Sequence, residues 1–267
     1  MNPIHIPQSK MKTHSTHPAA AGVSSRRARR AGLTLIELLV VLVILTGIGG
    51  LLIPTINNAL SRTHVATCAA NFPEVHQMFQ RVQLEFGQFG SGFDSGIETG
   101  SPTASVNGYE IQPLTAGEAT ALANVGILGV VDHDPAAPEY NVTFNIGATP
   151  RTLEEGGQLI TLTPAQAEDI FLPIANGEKY VWLGIGRNWS HLGNLAPEPP
   201  VHFGDTVGQL PNDVHSRFGG VFLVSTQNGA APLARARFAR VTLGLDGERF
   251  ETADEHLEVY WEELNQN

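Results

Sequence analysis

The chain has 267 residues, 42% of them hydrophobic and 16% charged, with a formal charge of −10. That length allows a sizeable core or two small domains, and the composition is too apolar for a disordered chain. A single cysteine, Cys68, excludes an intrachain disulfide and a cysteine-rich zinc module, while the acidic balance argues against a general nucleic-acid binder, which needs a basic surface.

The charge is unevenly placed. Residues 1–36 hold Lys10, Lys12, Arg26, Arg27, Arg29 and Arg30 and no acidic residue, whereas all 26 acidic residues lie from Glu37 onward. Losing residues 1–32 removes six positive charges and takes the net charge from −10 to −16. Gly32 then opens onto Leu33–Ile53, an apolar run whose only charge is Glu37. As a helix it reaches roughly 32 Å, against a bilayer core of roughly 30 Å. Positive charge on its N-terminal side predicts that this end stays in the cytoplasm and that residues 55–267 lie across the membrane. A secretory signal peptide has a shorter apolar region and a small-x-small cleavage site, for which Asn57-Asn58-Ala59-Leu60-Ser61 is a poor match. A plain membrane anchor leaves Glu37 unexplained, since an unpaired acid in a spanning helix costs on the order of 2–3 kcal/mol near its centre.

The run Arg29-Arg30-Ala31-Gly32-Leu33-Thr34-Leu35-Ile36-Glu37-Leu38-Leu39-Val40-Val41 resembles the N-terminal signature of type IV prepilins and type II secretion pseudopilins. The resemblance spans residues 26–60, about an eighth of the chain. It implies that a prepilin peptidase cuts between Gly32 and Leu33, and that Leu33 becomes the methylated N-terminus. It also implies that Glu37, then the fifth residue, pairs with the N-terminal amine of a neighbouring subunit in a filament, and that Pro54 kinks the helix near its midpoint. Leu33 departs from the phenylalanine common at the new N-terminus. The chemistry suits these positions: a glycine before the scissile bond lets a protease approach the backbone, and pairing a carboxylate in apolar surroundings favours one axial register. Gly47, Gly49 and Gly50 are either small-residue helix contacts or a softening of the helix before Pro54.

Beyond Pro54, Val65, Cys68, Phe72, Val75, Phe79, Val82 and Phe86 follow alternating spacings of three and four, one stripe on a helix. Arg62, Glu74, Gln77, Arg81 and Gln83 fall off it. The unbroken phase predicts one continuous, kinked helix, although Asn71, Pro73 and Glu74 together spell a second helix start; Cys68, on the stripe, is a packing residue. Residues 87–108 read as a Gly/Ser-rich loop. Strands are predicted at Tyr109–Leu114, Tyr140–Ile146, Gln158–Leu162, Tyr180–Ile185, Val221–Ser225, Arg237–Leu243 and Glu248–Glu251. Thr115 with Glu118 and Thr252 with Glu255 are capping boxes, Thr163-Pro164 starts another helix, and Asp246-Gly247 is a hairpin turn. The expected fold is α+β: a long N-terminal helix, membrane-spanning in its first half, packed on a mostly antiparallel β-sheet head with short helices, as in pilins. Its parts are a leader, 1–32; a transmembrane and filament-core helix, 33–54; an amphipathic helix, 55–86; and a globular head, 87–267.

Near the C-terminus, Ser216-Arg217-Phe218-Gly219-Gly220 followed by Asn228-Gly229 resembles, in spacing, a group of bacterial prepilin-like proteins with His, nine residues, then Asp-Gly. Phe218 stands for the His and Asn228 for the Asp, so the match speaks to architecture. No nucleophile elbow, phosphate loop, dinucleotide fingerprint or His-Glu-x-x-His motif occurs in the sequence. His191, His202, Asp205, Asp213 and His215 form a loose cluster without the spacing that presents zinc ligands together, and read as loop residues. Asp132-His133-Asp134 with Glu139 read as a solvated acidic loop rather than a calcium site. The acidic residues from Glu251 to Glu263 are read as the solvent face of a last helix whose buried side is Leu257, Tyr260, Trp261 and Leu264.

The resemblance therefore implies a non-enzymatic, minor subunit of a type II secretion pseudopilus or type IV pilus-like filament, needing no cofactor or metal. It would be a single-pass protein of the bacterial inner membrane with a cytoplasmic N-terminus and a periplasmic head. Its expected partners are the prepilin peptidase/methyltransferase, other pilin or pseudopilin subunits, the inner-membrane assembly platform and the membrane, with no nucleic acid. The competing reading is a membrane-anchored extracytoplasmic enzyme or ligand-binding protein using the His/Asp loop cluster.

Overall fold

The structure, a computed structural model, describes residues 34–98, 109–133, 149–200, 217–244, 250–255, 257–258 and 261, without the side chains of residues 51–55, 57–58, 61, 64, 98, 133 and 149. The predicted strand at 140–146 and the Asp246-Gly247 turn lie outside these residues. The chain divides into two compact units, Met1–Gly49 and Gly50–Asn267. Helix α1, Leu35–Glu85, belongs to both and is assigned through Pro54 and Pro73, so no new helix starts at Asn71.

In the second unit the predicted stripe is buried at Val65, Cys68, Phe72, Val75, Phe79 and Val82, with Met78 beside it. Phe86, the stripe's last member, is instead exposed and lies against His191 at 4.4 Å between ring centroids; α1 ends at Glu85, and the helical phase ends with it.

Among the described residues the strands are β1 (Phe93–Glu98), β2 (Ile111–Pro113), β3 (Gly129–His133), β4 (Thr149–Thr152), β5 (Gln158–Ile160), β6 (Lys179–Gly184), β7 (Arg217–Thr226), β8 (Ala231–Gly244) and β9 (Phe250–Glu251). Helices α2 (Ala116–Ala123), α3 (Pro164–Asp169) and α4 (Leu192–Leu195) are short. The main sheet has the order β4-β3-β1-β6-β7-β8-β9, and β2 and β5 form a separate pair. Pairing is antiparallel except between β1 and β3. The result is an α+β unit with a mostly antiparallel sheet and short helices.

Strand β1 corrects the reading of 87–108 as loop. Its sequence, Phe-Asp-Ser-Gly-Ile-Glu, lacks the usual run of β-branched residues, and its register shifts between Asp94 and Glu98. Such a bulge changes which face a side chain takes, so Phe93 packs with α1 while Ile97 packs on the opposite side.

Alternation along β6 places two cores on the two faces of the sheet. Val181 and Leu183 join the α1 and α2 side, whereas Tyr180 and Trp182 join Tyr109, Ile160, Ile170 and Phe250. Phe79 is central to the first, with the rings of Phe89, Phe93, Trp189, Phe222 and Phe238 at 4.7–6.2 Å. The Gly219-Gly220 pair admits both cores to β7: a Cβ on Gly219 would sit 2.5 Å from Trp182 Nε1, and one on Gly220 2.7 Å from Phe79 Cζ.

The capping box predicted at Thr115 has formed, and the helix start predicted at Thr163-Pro164 is a second such box, with Gln166 as its third helical residue. Glu118 does more than cap. Its buried carboxylate accepts from the Thr115 N–H at 2.9 Å, the Lys179 ammonium at 2.9 Å and the Ser225 hydroxyl at 2.5 Å. Burial pushes its pKa up, but the Ser225 hydroxyl, the Thr115 amide and Lys179 outweigh it and leave the pKa below its ordinary 4.5. A carboxylate depressed on folding stabilises the fold fully above its unfolded value and loses that contribution as pH falls through the folded one. Thermal unfolding of residues 55–267 is therefore expected to shift to lower temperature below about pH 4.5. Glu118→Ala should cost roughly 2–3 kcal/mol at neutral pH and flatten that acid slope; an unchanged slope in the variant would show that Glu118 is not its source.

Candidate functional site

The first unit is described from Thr34. Thr34 precedes α1, and its backbone N–H and hydroxyl both donate to Glu37 Oε2, at 2.7 and 2.8 Å, while Glu37 N–H donates to Thr34 Oγ1 at 3.3 Å. This reciprocal arrangement is a capping box, with Thr34 at the N-cap and Glu37 three residues on. It satisfies amides that a helix start leaves without partners, and it fixes the position of the Glu37 carboxylate. Thr34 was absent from the sequence-derived site, although Thr-x-x-Glu before an apolar run is itself the signal for this box.

Every large apolar residue from Leu35 to Leu45 is exposed, from Leu35 at 83% to Val40 and Val41 at 49%. They lie around the whole helix rather than on one stripe. A helix apolar on all sides is stable only in an apolar setting, a membrane or a bundle of like helices. Thr46 returns its hydroxyl to the carbonyls of Leu42 and Val43 at 2.9 and 3.0 Å, so its polar group is satisfied within the helix. Gly47, Gly49 and Gly50 have open space where a Cβ would be.

Among the described residues no helix is long and apolar enough to cross a membrane. The stretch of the apolar run with described side chains is 34–50, short of the roughly 20 residues that a span requires. Leu33 lies outside the described residues, as do the side chains of 51–54, including Pro54. Gly32 likewise lies outside them.

The other candidates fall elsewhere. Asp132 and His133 are strand residues of β3 rather than a solvated acidic loop. Asp132 is engaged by Arg151 through two bonds of 2.8 and 3.0 Å and by the Ser95 hydroxyl at 2.6 Å, so its charge is already matched by a guanidinium. Asp134 and Glu139 lie outside the described residues, as do His202, Asp205, Asp213 and His215. His191 precedes α4 and lies between the rings of Phe86 and Trp189. Among the described residues no group of three His, Cys, Asp or Glu is placed to hold a metal.

Leu257 and Trp261, predicted as the buried side of a last helix, are 44% and 60% exposed; Tyr260 and Leu264 lie outside the described residues. Thr252 N–H donates to Glu255 at 2.7 Å, in keeping with the predicted box, whereas Glu251 belongs to β9. In the second resemblance, Phe218 is buried edge-on against Phe72 at 5.1 Å, and Asn228, with φ of 55°, turns the chain from β7 to β8. These positions build the core and a turn.

Comparison with known proteins identifies the first of these segments. Residues 27–46 match the prokaryotic N-terminal methylation motif, so the chain carries the type IV prepilin-type signature. That motif marks a pilin-like or pseudopilin precursor, and it implies processing by a prepilin peptidase, assembly with other pilin subunits and anchoring at a membrane. No curated protein and no solved structure matches the chain.

Proposed function

We propose that the chain is a minor structural subunit, not an enzyme, of a type II secretion pseudopilus or type IV pilus-like filament. In this reading prepilin peptidase removes residues 1–32 at the Gly32–Leu33 bond and methylates the Leu33 amine. Residues 33–54 then hold the subunit in the bacterial inner membrane, with its N-terminus cytoplasmic and its head periplasmic, until the assembly platform moves it into the filament. The methylation motif at 27–46 carries the proposal, and the all-round apolar surface of Leu35–Leu45 supports it.

The capping box has a consequence for processing. It uses atoms of Thr34 and Glu37 alone, both on the C-terminal side of the proposed cut, so the helix start survives cleavage. Glu37 thus has two separable roles, capping its own helix and pairing its charge with a neighbouring amine.

The test is the mature N-terminus of the full chain in cells with active prepilin peptidase. Mass spectrometry should find Leu33 first and monomethylated, and Gly32→Ala should reduce the cleaved fraction about tenfold or more. An intact leader in those cells would refute the reading. Glu37→Ala should leave cleavage intact and impair incorporation into filaments. Glu37→Gln keeps a box-forming side chain and removes the charge, so normal incorporation of this variant would show that capping, not charge pairing, is what assembly requires.

A further inference from the structure

We infer that the outer edge of β8, from Arg235 to Val241, is a docking site for an extended segment of a partner protein, one with alternating acidic and apolar residues that joins the sheet as a further strand. The site belongs to the head and holds whether or not the chain enters a filament.

Among the described residues β8 is the longest strand, Ala231–Gly244, and β7 covers one side of it. On the other side β9 reaches only Leu243 and Gly244, and no described strand lies beside the rest. From Ala231 to Arg240 every residue but Ala236 keeps some exposure to solvent. The Asn124 side-chain amide donates to the Ala234 carbonyl at 2.8 Å, so the end of α2 already occupies the strand there. That leaves Arg235–Val241, roughly 20 Å of edge at about 3.4 Å per residue. Such an edge carries unpaired N–H and C=O groups and is a template for another chain.

Two recesses follow that edge. One, of about 640 Å³, is bordered by every residue from Leu233 to Phe238, with Gln83, Phe89 and Val125 opposite; the other, of about 760 Å³, is bordered by Ala239, Arg240 and Val241, with Phe72, His76 and Phe171 among the residues around it. Successive strand residues turn to opposite faces. Recesses bordered by the unbroken run 233–241 therefore lie against the backbone edge of β8 rather than over one face of it. They offer what strand addition uses, main-chain groups for affinity and flanking hollows for alternate side chains. Phe171 marks one hollow: it is 76% exposed at φ of 59°, a strained conformation for a bulky residue, with the Arg240 guanidinium 5.7 Å from the centre of its ring.

Charge selects the occupant. Strand β8 carries Arg235, Arg237 and Arg240 and no acidic residue, in a chain of net charge −10, and none of the described residues lining either recess is acidic. Arg240 is already used: it donates to the Ile170 carbonyl at 2.8 Å and to Asp254 at 3.2 Å. Arg235 and Arg237 are exposed and form no ion pair among the described residues. Ala236 lies in the core under α1 and Phe238 packs against it, so alternation turns Arg235 and Arg237 to the opposite face. A strand laid beside them meets two guanidinium groups on one face and the hollows next to α1 on the other. It needs acidic residues two apart with apolar residues between them. A second copy presenting this same edge would set arginine against arginine, the means by which edge charges prevent self-pairing.

The test is fluorescence anisotropy with the full chain in detergent micelles and a labelled peptide, Gly-Glu-Val-Glu-Val-Glu-Tyr-Gly. It should bind about ten times or more tighter than the same peptide with lysine in place of each glutamate. Arg235→Glu with Arg237→Glu should reverse that order, and tight binding of the lysine peptide would itself show that the variant is folded. An added strand offers β8 one of its two edges, and the N–H groups of alternate residues share an edge. N-methylating the glutamates and N-methylating the valines and tyrosine should therefore differ, one set costing about tenfold and the other little. No binding, or equal affinity for the acidic and lysine peptides, overturns the charge assignment. Equal tolerance of the two methylated sets overturns strand addition. If ending the chain after Trp261 raises affinity for the acidic peptide about tenfold, the chain's own C-terminal segment is the occupant and the assigned partner is wrong. Dimers of the full chain in sedimentation that the acidic peptide disperses would make the occupant a second copy, and overturn the assignment in the same way.

Discussion

Phe79→Asp in residues 55–267 is expected to abolish cooperative thermal unfolding, while Gln83→Asp in the same fragment leaves it within about 0.5 kcal/mol of the parent. Phe79 is fully buried and touches five aromatic rings drawn from the loop after α1, β1, the segment before α4, β7 and β8. Removing the ring alone, as in Phe79→Ala, costs about 3–5 kcal/mol through lost burial and the cavity left behind. The aspartate adds the cost of a carboxylate without a partner, several kcal/mol more. Together these approach the roughly 5–15 kcal/mol that stabilises a whole domain. Gln83 lies one position beyond buried Val82 and faces solvent. Circular dichroism against temperature checks both variants. Equal tolerance would mean that α1 does not anchor this core, and the packing described here would be wrong.

That experiment works because the stripe on α1 was legible in the sequence. Alternating steps of three and four identify a helix face without knowledge of what covers it, and from Val65 to Val82 the structure buries that face. Strands β5 to β8 were legible for the same local reason, through β-branched and aromatic runs bounded by turn residues. Strand β1 was not. Its Asp94 and Gly96 look like loop residues, because their roles depend on chain segments far away: Asp94 meets Arg217, and Gly96 leaves room for Ile160 and Trp182. Glu118 shows both sides. Its capping role follows from Thr115 three residues earlier, whereas its bonds to Lys179 and Ser225 link positions 61 and 107 residues apart. The same division holds at the N-terminus. The methylation motif is a local pattern read directly, and Thr34 with Glu37 is a local box that the family resemblance overshadowed.

The second large effect is expected where that non-local logic is strongest. Arg217 on β7 and Asp94 on β1 form an ion pair of 3.3 Å, each about 1% exposed, across the intervening strand β6. Gly184 of β6 makes the crossing possible, since a Cβ there would sit 3.2 Å from that of Asp94 and 3.3 Å from that of Arg217. Asp94 also accepts from Gly96 N–H at 2.8 Å, holding the residue at φ +66° that bends β1. Burial lowers the Arg217 pKa, and Asp94 opposes that shift. Asp94→Ala leaves a guanidinium inside the sheet without this carboxylate, a change expected to cost about 3–5 kcal/mol. Replacing both partners, Asp94→Leu with Arg217→Met, removes the uncompensated charge and is expected to recover most of that loss, because desolvating two ions offsets much of their attraction. Urea unfolding of residues 55–267 separates the cases. If the single variant loses under about 1 kcal/mol, the charges are solvated and the pair does not tie β1 to β7. If the double variant is as unstable as the single, the pair is supplying strand register rather than charge balance, and Asp94 is needed for its bond to Gly96 as much as for Arg217.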